Sequence, residues 1–486
     1  MRVYVALSAF LLAVSPALVA AETPSMGSSV LIVAERKARD DLYTMLSAGL
    51  PVIHESSFSL FIEGDESHLS WLRERGFAAR VLDRSAWAWD YFAVGTRPDT
   101  DLGQLAAAGD ELFREENWRL IRGPRGQIPE AIRGALVFWT RLPHEPLALP
   151  VSTPLPRAPG AGTDETGPDP LIQQMVAAVR PAEIDRYWGD LTSNLPTGTR
   201  FTISQGCRDA AHYSHDELEA VGVPAQLQSY SSLHAPNVIG TRLGAITPEQ
   251  VYIVIGHLDD MPWSGLAPGA DDNASGTVTV LEAARAMSCF AFRSTVKYIA
   301  CTGEELGLHG SDAYAADAKA RGEDIRGVLN FDMNGWEGDG LPNPENLDLN
   351  YNDASEDLAL LFTQCAADYD TGLAVNAFLC PSLTASDHYS FWRRGYKALC
   401  GITDNEGYCG RGGHYPYYHS RNDTIANCGQ RSFFYSTIKA TVATLATLAE
   451  PFKITFAEPT LTCDTTTTVL VGDRDLNLDP AIVETV

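Results

Sequence analysis

The stretch from residue 251 to residue 402 alternates short apolar runs with amphipathic segments, and this alternation limits the possible folds more than any other feature. The runs are rich in residues that favour strands, and they cover Val251–Ile255, Thr295–Cys301, Val328–Phe331 and Ala398–Ile402. Between them, residues 277–287, 311–320 and 357–369 have helical patterns, and a further helix is predicted over 433–449. The sequence therefore predicts an α/β fold, with a mostly parallel twisted sheet and helices on both faces.

Ionisable residues follow these predicted strands. His257 and Asp259 follow the first run, Glu304 and Glu305 the second, and Asp332 the third. Ligands of open α/β sheets bind beyond the carboxyl ends of the strands, so these side chains are expected in one crevice. Each has an ordinary structural explanation by itself, such as helix capping or a solvated surface. Together, however, imidazole and carboxylate groups without cysteine favour a catalytic zinc site.

Five sequence strings give this cluster a family resemblance. They are GHLDD at 256–260, APGADDNASG at 267–276, EELGLHGS at 304–311, FDM at 331–333 and YHSRNDT at 418–424. Over roughly residues 235–450 the chain resembles the secreted co-catalytic dizinc aminopeptidases, which include bacterial leucyl aminopeptidase-like enzymes. Glutamate carboxypeptidases and glutaminyl cyclases are related to them. The resemblance implies a zinc exopeptidase-like fold and a zinc-dependent exopeptidase.

The resemblance also implies a role for each residue of the cluster. His257 and Asp332 are expected to bind one zinc ion, Glu305 and His419 the other, and Asp272 both. Asp271 is then a neighbour that binds no metal. Asp259 is expected to accept a hydrogen bond from the His257 imidazole, which fixes the tautomer of the ring. Glu304 remains as the general base.

The charge of this predicted centre is consistent with hydrolysis. Two zinc ions against three carboxylates leave about one positive charge, which favours a bridging hydroxide as the nucleophile near neutral pH. The resemblance implies peptide substrates with a free N-terminus. We also expect a preference for leucine or another large apolar first residue. Met333 with the nearby aromatics Trp263, Tyr389, Phe391 and Trp392 offers an apolar wall for its pocket, although aromatic side chains near a buried site more often belong to the core.

Three alternatives remain open at this point. A glutaminyl cyclase would use one zinc, and the presence of both His257 and Asp332 argues against it. A non-catalytic receptor-like domain is disfavoured by the intact ligand set and Glu304. A carboxypeptidase or dipeptidase of the same fold would need arginines in its pocket, and Arg393, Arg394 and Arg411 keep that reading open.

The remaining segments predict an exported protein of several parts. Residues 1–21 are typical of a signal peptide. A small α+β accessory or propeptide domain with two βαβ-like units is predicted over residues 22–153, and a linker over residues 154–170. The peptidase domain is expected over 171–450, followed by a β-like tail over 451–486. The chain is expected to be secreted or periplasmic, outside the membrane once the signal is cleaved, and monomeric.

Charge and cysteine content add two further expectations. The chain has 62 acidic and 36 basic residues and a net charge of −26, which excludes a nucleic-acid-binding surface. Its nine cysteines fit an oxidising compartment, and their odd number leaves at least one unpaired within the chain. The pair expected to flank the His419 loop is Cys409–Cys428, while Cys380 is expected to pair elsewhere.

Overall fold

The computed structural model describes most of the chain after residue 28. The described residues are 29–95, 105–115, 118–127, 129, 139–150, 154–156, 168–262, 266–336, 346–403, 409, 415–429, 431–456 and 469–472. The predicted signal peptide, most of the predicted linker, Trp263 and Arg411 lie outside them.

The N-terminal part consists of two four-stranded sheets. The first contains β1 to β4 in the order β2-β3-β1-β4, and the second contains β5 to β8 in the order β6-β7-β5-β8. The elements are β1 (Val30–Glu35), α1 (Asp41–Ser47), β2 (Val52–Glu55), β3 (Ser59–Gly64), α2 (Glu66–Glu74), β4 (Ala79–Asp83), β5 (Trp89–Gly95), β6 (Asp110–Glu115), β7 (Trp118–Pro124) and β8 (Trp139–Arg141). All the strand pairs of these two sheets are antiparallel, so the predicted βαβ-like units were wrong. Apolar runs at 30–34, 58–62 and 79–82 indicate the positions of β1, β3 and β4, but not which way neighbouring strands run.

The next part of the chain forms an eight-stranded sheet in the order β16-β15-β17-β14-β11-β13-β10-β9. Its strands are β9 (Ala225–Gln228), β10 (Asn237–Arg242), β11 (Thr247–His257), β13 (Ser294–Cys301), β14 (Asp324–Phe331), β15 (Asn346–Tyr351), β16 (Ala374–Leu379) and β17 (Ala398–Ile402). The four strands predicted from sequence, β11, β13, β14 and β17, form its parallel centre. The mostly parallel α/β fold is thus confirmed, and antiparallel pairs occur on both sides of that centre.

Helices cover both faces of this sheet. They are α3 (Pro170–Ala178), α4 (Pro181–Leu191), α5 (Gln205–Ala220), α6 (Gly276–Met287), α7 (His309–Ala320), α8 (Glu356–Asp368), α9 (His388–Trp392) and α10 (Arg431–Ala449). Alternate residues of β11 point to opposite faces: Tyr252 and Val254 enter one apolar core, and Ile253 and Ile255 enter the other. Residues 171–191 have a helical pattern in the sequence but form two helices, α3 and α4. Pro181 starts α4 because proline disfavours a helical residue before it.

The C-terminal strand β18 (Pro451–Phe456) pairs with β12 (Ala291–Phe292) and with β19 (Val469–Gly472). Cys380 and Cys409 form a disulfide with Cα atoms 5.9 Å apart, so the predicted Cys409–Cys428 pair was wrong. Cys428 is instead a buried thiol that donates to the carbonyl of Thr424 at 3.3 Å. In the described part of the chain, every helix is too short or too polar to cross a membrane.

A buried ion pair joins the N-terminal sheets to the eight-stranded sheet region. The Arg36 guanidinium contacts the Asp353 carboxylate and lies 3.8 Å from Glu55 Oε2. The side chains of Arg36 and Asp353 are only 5% and 9% exposed. Arg39 also reaches Asp353, at 3.2 Å, but its side chain is 51% exposed.

We expect Arg36→Met to lower the free energy of unfolding by about 3–5 kcal/mol, because it removes the buried cation shared by Glu55 and Asp353 and leaves Asp353 only its contact with the half-exposed Arg39. The matched variant Arg39→Met removes an exposed contact and should cost at most about 1 kcal/mol. Chemical denaturation of both variants measures the difference. Equal effects would show that burial of the Arg36 pair does not determine its contribution.

Candidate metal centre

Three neighbouring strands bring the predicted ligands together. His257 is the last residue of β11, Asp332 follows β14, and Glu304 lies just beyond β13. Because these strands are parallel neighbours, their carboxyl ends lie at the same edge of the sheet. His257 Nε2 lies 3.2 Å from Asp332 Oδ1, 3.5 Å from Asp272 Oδ1 and 4.0 Å from Glu304 Oε2.

A fourth segment, the irregular turn Ala270–Ser275, carries Asp272 into this cluster at the start of α6. Both carboxylate oxygens of Asp423 hold the turn: they accept hydrogen bonds from the backbone N–H groups of Asp271 and Asp272 at 2.8 and 3.0 Å. Asn273 Oδ1 accepts from the N–H of Gly276 at 2.8 Å. Asp423 and Asn273 therefore position a proposed ligand, and sequence analysis gave neither of them a role, although both stand inside the motif strings.

His419 completes the arrangement from a loop distant in sequence. Its Nε2 lies 2.8 Å from Glu305 Oε2 and 3.1 Å from Asp272 Oδ2. Tyr418 stacks on the His419 ring with the ring centroids 3.6 Å apart. Asp272 thus stands between a group containing His257 and Asp332 and a group containing Glu305 and His419.

The two remaining aspartates occupy different positions. Asp271 points away from the cluster, since its Oδ1 accepts from the N–H groups of Gly335 and Trp336 at 2.7 and 3.0 Å. His257 Nδ1 lies 3.1 Å from the main-chain carbonyl of Asp259 but 3.8 Å from the Asp259 carboxylate. The expected hydrogen bond from the His257 ring to the Asp259 carboxylate is therefore replaced by one to the Asp259 main-chain carbonyl, which is the closer acceptor. The Asp259 carboxylate instead accepts from the Glu304 N–H at 3.3 Å.

Burial and mutual repulsion dominate the electrostatics of this cluster. Burial raises the pKa of Glu304 and of Glu305 well above the usual glutamate value, and nearby carboxylates add to the effect. Burial also raises the pKa of Asp259 to about 7. Although burial acts to lower the pKa of His257, the carboxylates of Asp332 and Glu304 outweigh it and raise that pKa. The cluster therefore favours a positive charge.

The donor atoms fit zinc. Two groups, His257 with Asp272 and Glu305, and His257 with Glu304 and Asp332, each place their nitrogen and oxygen atoms within 4.8 Å of one another. Glu305 Oε1 is buried and lacks a hydrogen-bond partner among the described residues. Buried carboxylates need compensation, and a divalent cation bound by imidazole and carboxylate provides it.

A cleft of about 210 Å³ opens onto Glu304, Glu305 and His419. Its apolar lining comes from Trp139, Phe201, Met261, Pro262, Leu306 and Tyr418. The pocket-wall interpretation is therefore wrong for Met333, Tyr389, Phe391 and Trp392, which belong to the core, while Trp263 lies outside the described residues. Tyr389, Phe391 and Trp392 pack in the core between the sheet and its helices, and Met333 packs against buried neighbours, where their apolar area is removed from water. Phe201 and Trp139 come from segments without a recognisable motif.

Comparison with known proteins supports the sequence resemblance. A model of peptidase family M28 matches residues 237–445. A probable leucine aminopeptidase of Arthroderma otae is 33% identical over 273 residues, which cover 53% of this chain and 70% of that protein. A probable zinc metalloprotease of Leptosphaeria maculans is 29% identical over 301 residues, which cover 51% and 69%. Other relatives named as probable zinc metalloproteases are matched over 38–41% of their own length.

The fold is shared with a solved bacterial structure. LapA aminopeptidase from Legionella pneumophila superposes with a TM-score of 0.52 and 16% identity. The match covers 87% of this chain and 99% of that one. At this level of identity the match shows a common fold, and it extends well beyond the region matched by the family model.

Proposed function

The chain belongs to peptidase family M28 and is a zinc-dependent peptidase, and from this membership we propose that it is a secreted aminopeptidase that removes apolar N-terminal residues from peptides. The observation that carries the proposal is the position of Asp272 between two groups of potential ligands. His257 and Asp332 lie on one side, and Glu305 and His419 on the other. This arrangement suits two zinc ions that share one carboxylate.

Each ligand has a defined role in the proposed centre. His257 and Asp332 would hold one zinc, Glu305 and His419 the other, and Asp272 would bridge them. Bound zinc would polarise the scissile carbonyl and lower the pKa of a coordinated water. Asp423 keeps Asp272 in place through the two backbone hydrogen bonds, so it acts as a positioning residue.

Glu304 is the proposed general base and acid. It faces the cleft, and its side chain is 10% exposed, whereas the neighbouring Glu305 side chain is 4% exposed and lies against His419. From this position Glu304 can accept a proton from the attacking water and deliver it to the leaving amine. The hydrogen bond from the Glu304 backbone N–H to the Asp259 carboxylate fixes the backbone at Glu304.

The aminopeptidase reading predicts that hydrolysis requires a free α-amine. Leucyl peptides should be cleaved, and the same peptides carrying an N-acetyl group should react at least about 10²-fold more slowly, because acetylation turns the basic amine nitrogen, which a zinc ion could receive, into a non-basic amide. Measuring amine release from matched free and acetylated peptides, with and without a chelator, tests this. Equal rates on both would contradict an aminopeptidase, whichever metal is bound.

The same assay tests the carboxypeptidase alternative. That reading needs arginines facing the cleft, yet the guanidinium groups of Arg393 and Arg394 both contact Asp312 at 2.9 Å. Neither residue lines the cleft that reaches Glu304, and the third arginine of this alternative, Arg411, lies outside the described residues. C-terminally amidated leucyl peptides should therefore remain substrates, whereas a carboxypeptidase would fail to hydrolyse them.

A further inference from the structure

One wall of the catalytic cleft comes from the N-terminal sheets. Trp139, the first residue of β8, lines the same cavity as Glu304, Glu305 and His419. Its side chain is half-buried, whereas every proposed zinc ligand lies more than 100 residues further along the chain. The cleft is therefore built from two parts of the sequence that the predicted linker separates.

Contacts on both sides fix the position of Trp139. β8 pairs antiparallel with β5, with Trp139 opposite Val94, and the Trp139 ring lies 6.1 Å from that of Phe92. The buried Thr140 hydroxyl donates to the carbonyl of Thr384 at 2.7 Å, and the following residue, Ala385, also lines the cleft. Since successive side chains of a strand point to opposite faces of the sheet, the Thr140 hydroxyl makes its hydrogen bond to Thr384 on the face of β8 opposite to the Trp139 ring.

The indole also lies against the turn that carries the two glutamates. A Cβ placed on Gly307 would be 3.8 Å from Trp139 Cη2, which is van der Waals contact. Gly307 has φ +115°, and its N–H donates to the carbonyl of Glu304 at 2.8 Å. Trp139 is thus within one turn of the proposed general base.

We propose that Trp139 is a specificity-determining residue that contacts the apolar side chain of the bound peptide. The N-terminal sheets are then a permanent part of the enzyme and not a removable inhibitor. This inference rests on the proposed aminopeptidase function. The aromatic face of Trp139, together with Phe201, Met261 and Leu306, offers an apolar surface for a leucine-sized group, which gains by leaving water.

The contacts between the two parts support permanent attachment. Removing the N-terminal sheets would leave the Asp353 carboxylate without Arg36 and would break the hydrogen bond from Ala148 N–H to the carbonyl of Arg393 at 2.8 Å. Uncompensated buried charge is costly, so the two parts should stay associated even when the chain between them is cut.

The first test compares leucyl and alanyl p-nitroanilides on the zinc-loaded full chain. Trp139→Ala should reduce the ratio of the two kcat/KM values about 10-fold or more, because a lost apolar contact discriminates by side-chain size. Trp139→Phe should restore much of the ratio. The matched control is Trp87→Ala, which removes a 44% exposed tryptophan of the N-terminal sheets outside the cleft and should leave the ratio unchanged.

Zinc content and melting temperature show whether each variant is folded. An unchanged ratio in folded, zinc-loaded Trp139→Ala would overturn the inference, and so would a rise in kcat/KM for both substrates, which would identify the indole as an inhibitory plug. If the unmodified zinc-loaded chain hydrolyses no aminoacyl substrate, the proposed function itself fails, and that result is distinct from either of these.

The second test cuts the chain at a protease site introduced within residues 157–167. The two fragments should copurify, and kcat/KM for the leucyl substrate should stay within about two-fold of the uncut value, since the contacts described for Trp139 and Thr140 come from β5, Thr384 and Gly307. Activation on cleavage, or separation of the fragments with full retention of the leucine preference, would overturn the inference.

Discussion

Glu304→Gln should abolish most turnover while leaving the metal centre intact. The amide keeps the shape of the side chain but cannot shuttle a proton, and loss of a general base typically lowers kcat by about 10²–10⁴-fold. KM should change little, because the other groups that line the cleft remain. Steady-state kinetics on a leucyl peptide and metal analysis of the same sample measure both properties.

Glu305→Gln is the matched control, since it changes the same residue type one position away. Glu305 lies 2.8 Å from His419 and is a proposed zinc ligand, so this variant should lose zinc, and excess zinc should partly restore its activity. Zinc should not restore Glu304→Gln. If both variants lose metal together, or both keep it, the assignment of separate roles to the two glutamates is wrong.

Removing zinc should have the second large effect. Chelation should reduce hydrolysis to the background rate, and added zinc should restore it, because the carbonyl and the attacking water would lose their Lewis acid. The chelated protein should also melt at a lower temperature. A ligand that binds only the folded state stabilises it by about 4 kcal/mol at 1,000 times its dissociation constant.

Single substitutions of the proposed ligands should change the number of zinc ions bound per chain in a way that distinguishes the two sites. Asp332→Asn and His419→Ala should each leave about one zinc per chain, while Asp272→Asn should lose both, because only Asp272 is placed to bridge them. His215→Ala, at a partly exposed histidine of helix α5 that contacts Asp216 and none of the proposed ligands, is the residue-matched control for His419→Ala and should keep full occupancy. A fully loaded unmodified chain with one zinc would contradict the two-metal centre.

Much of the centre could be predicted because its geometry follows from local patterns. The apolar runs ending at Ile255, Cys301 and Phe331 indicated parallel strands, and parallel neighbours necessarily present their carboxyl ends at one edge. The motif strings then identified the family and the fold, and both predictions are confirmed by the comparisons and the structure. The roles of individual ligands stay predictions until metal is measured.

The features that could not be predicted from the sequence share one physical cause: they depend on contacts between segments that lie far apart in the chain. Strand positions in the N-terminal part follow from residue type, but their antiparallel pairing depends on how the chain turns between them. The pairing of Cys380 with Cys409 rather than Cys428 depends on which sulfur atoms the folded loops bring together.

The sequence by itself determined the α/β sheet, the edge at which the ionisable groups collect and the family of the enzyme, because strand periodicity and short motifs are local properties. Only the tertiary structure decided what surrounds those groups. Asp423 holds Asp272 from 151 residues away, and Trp139 reaches the cleft from a different sheet. No local pattern encodes such contacts, since they form only when distant surfaces pack together and exclude water.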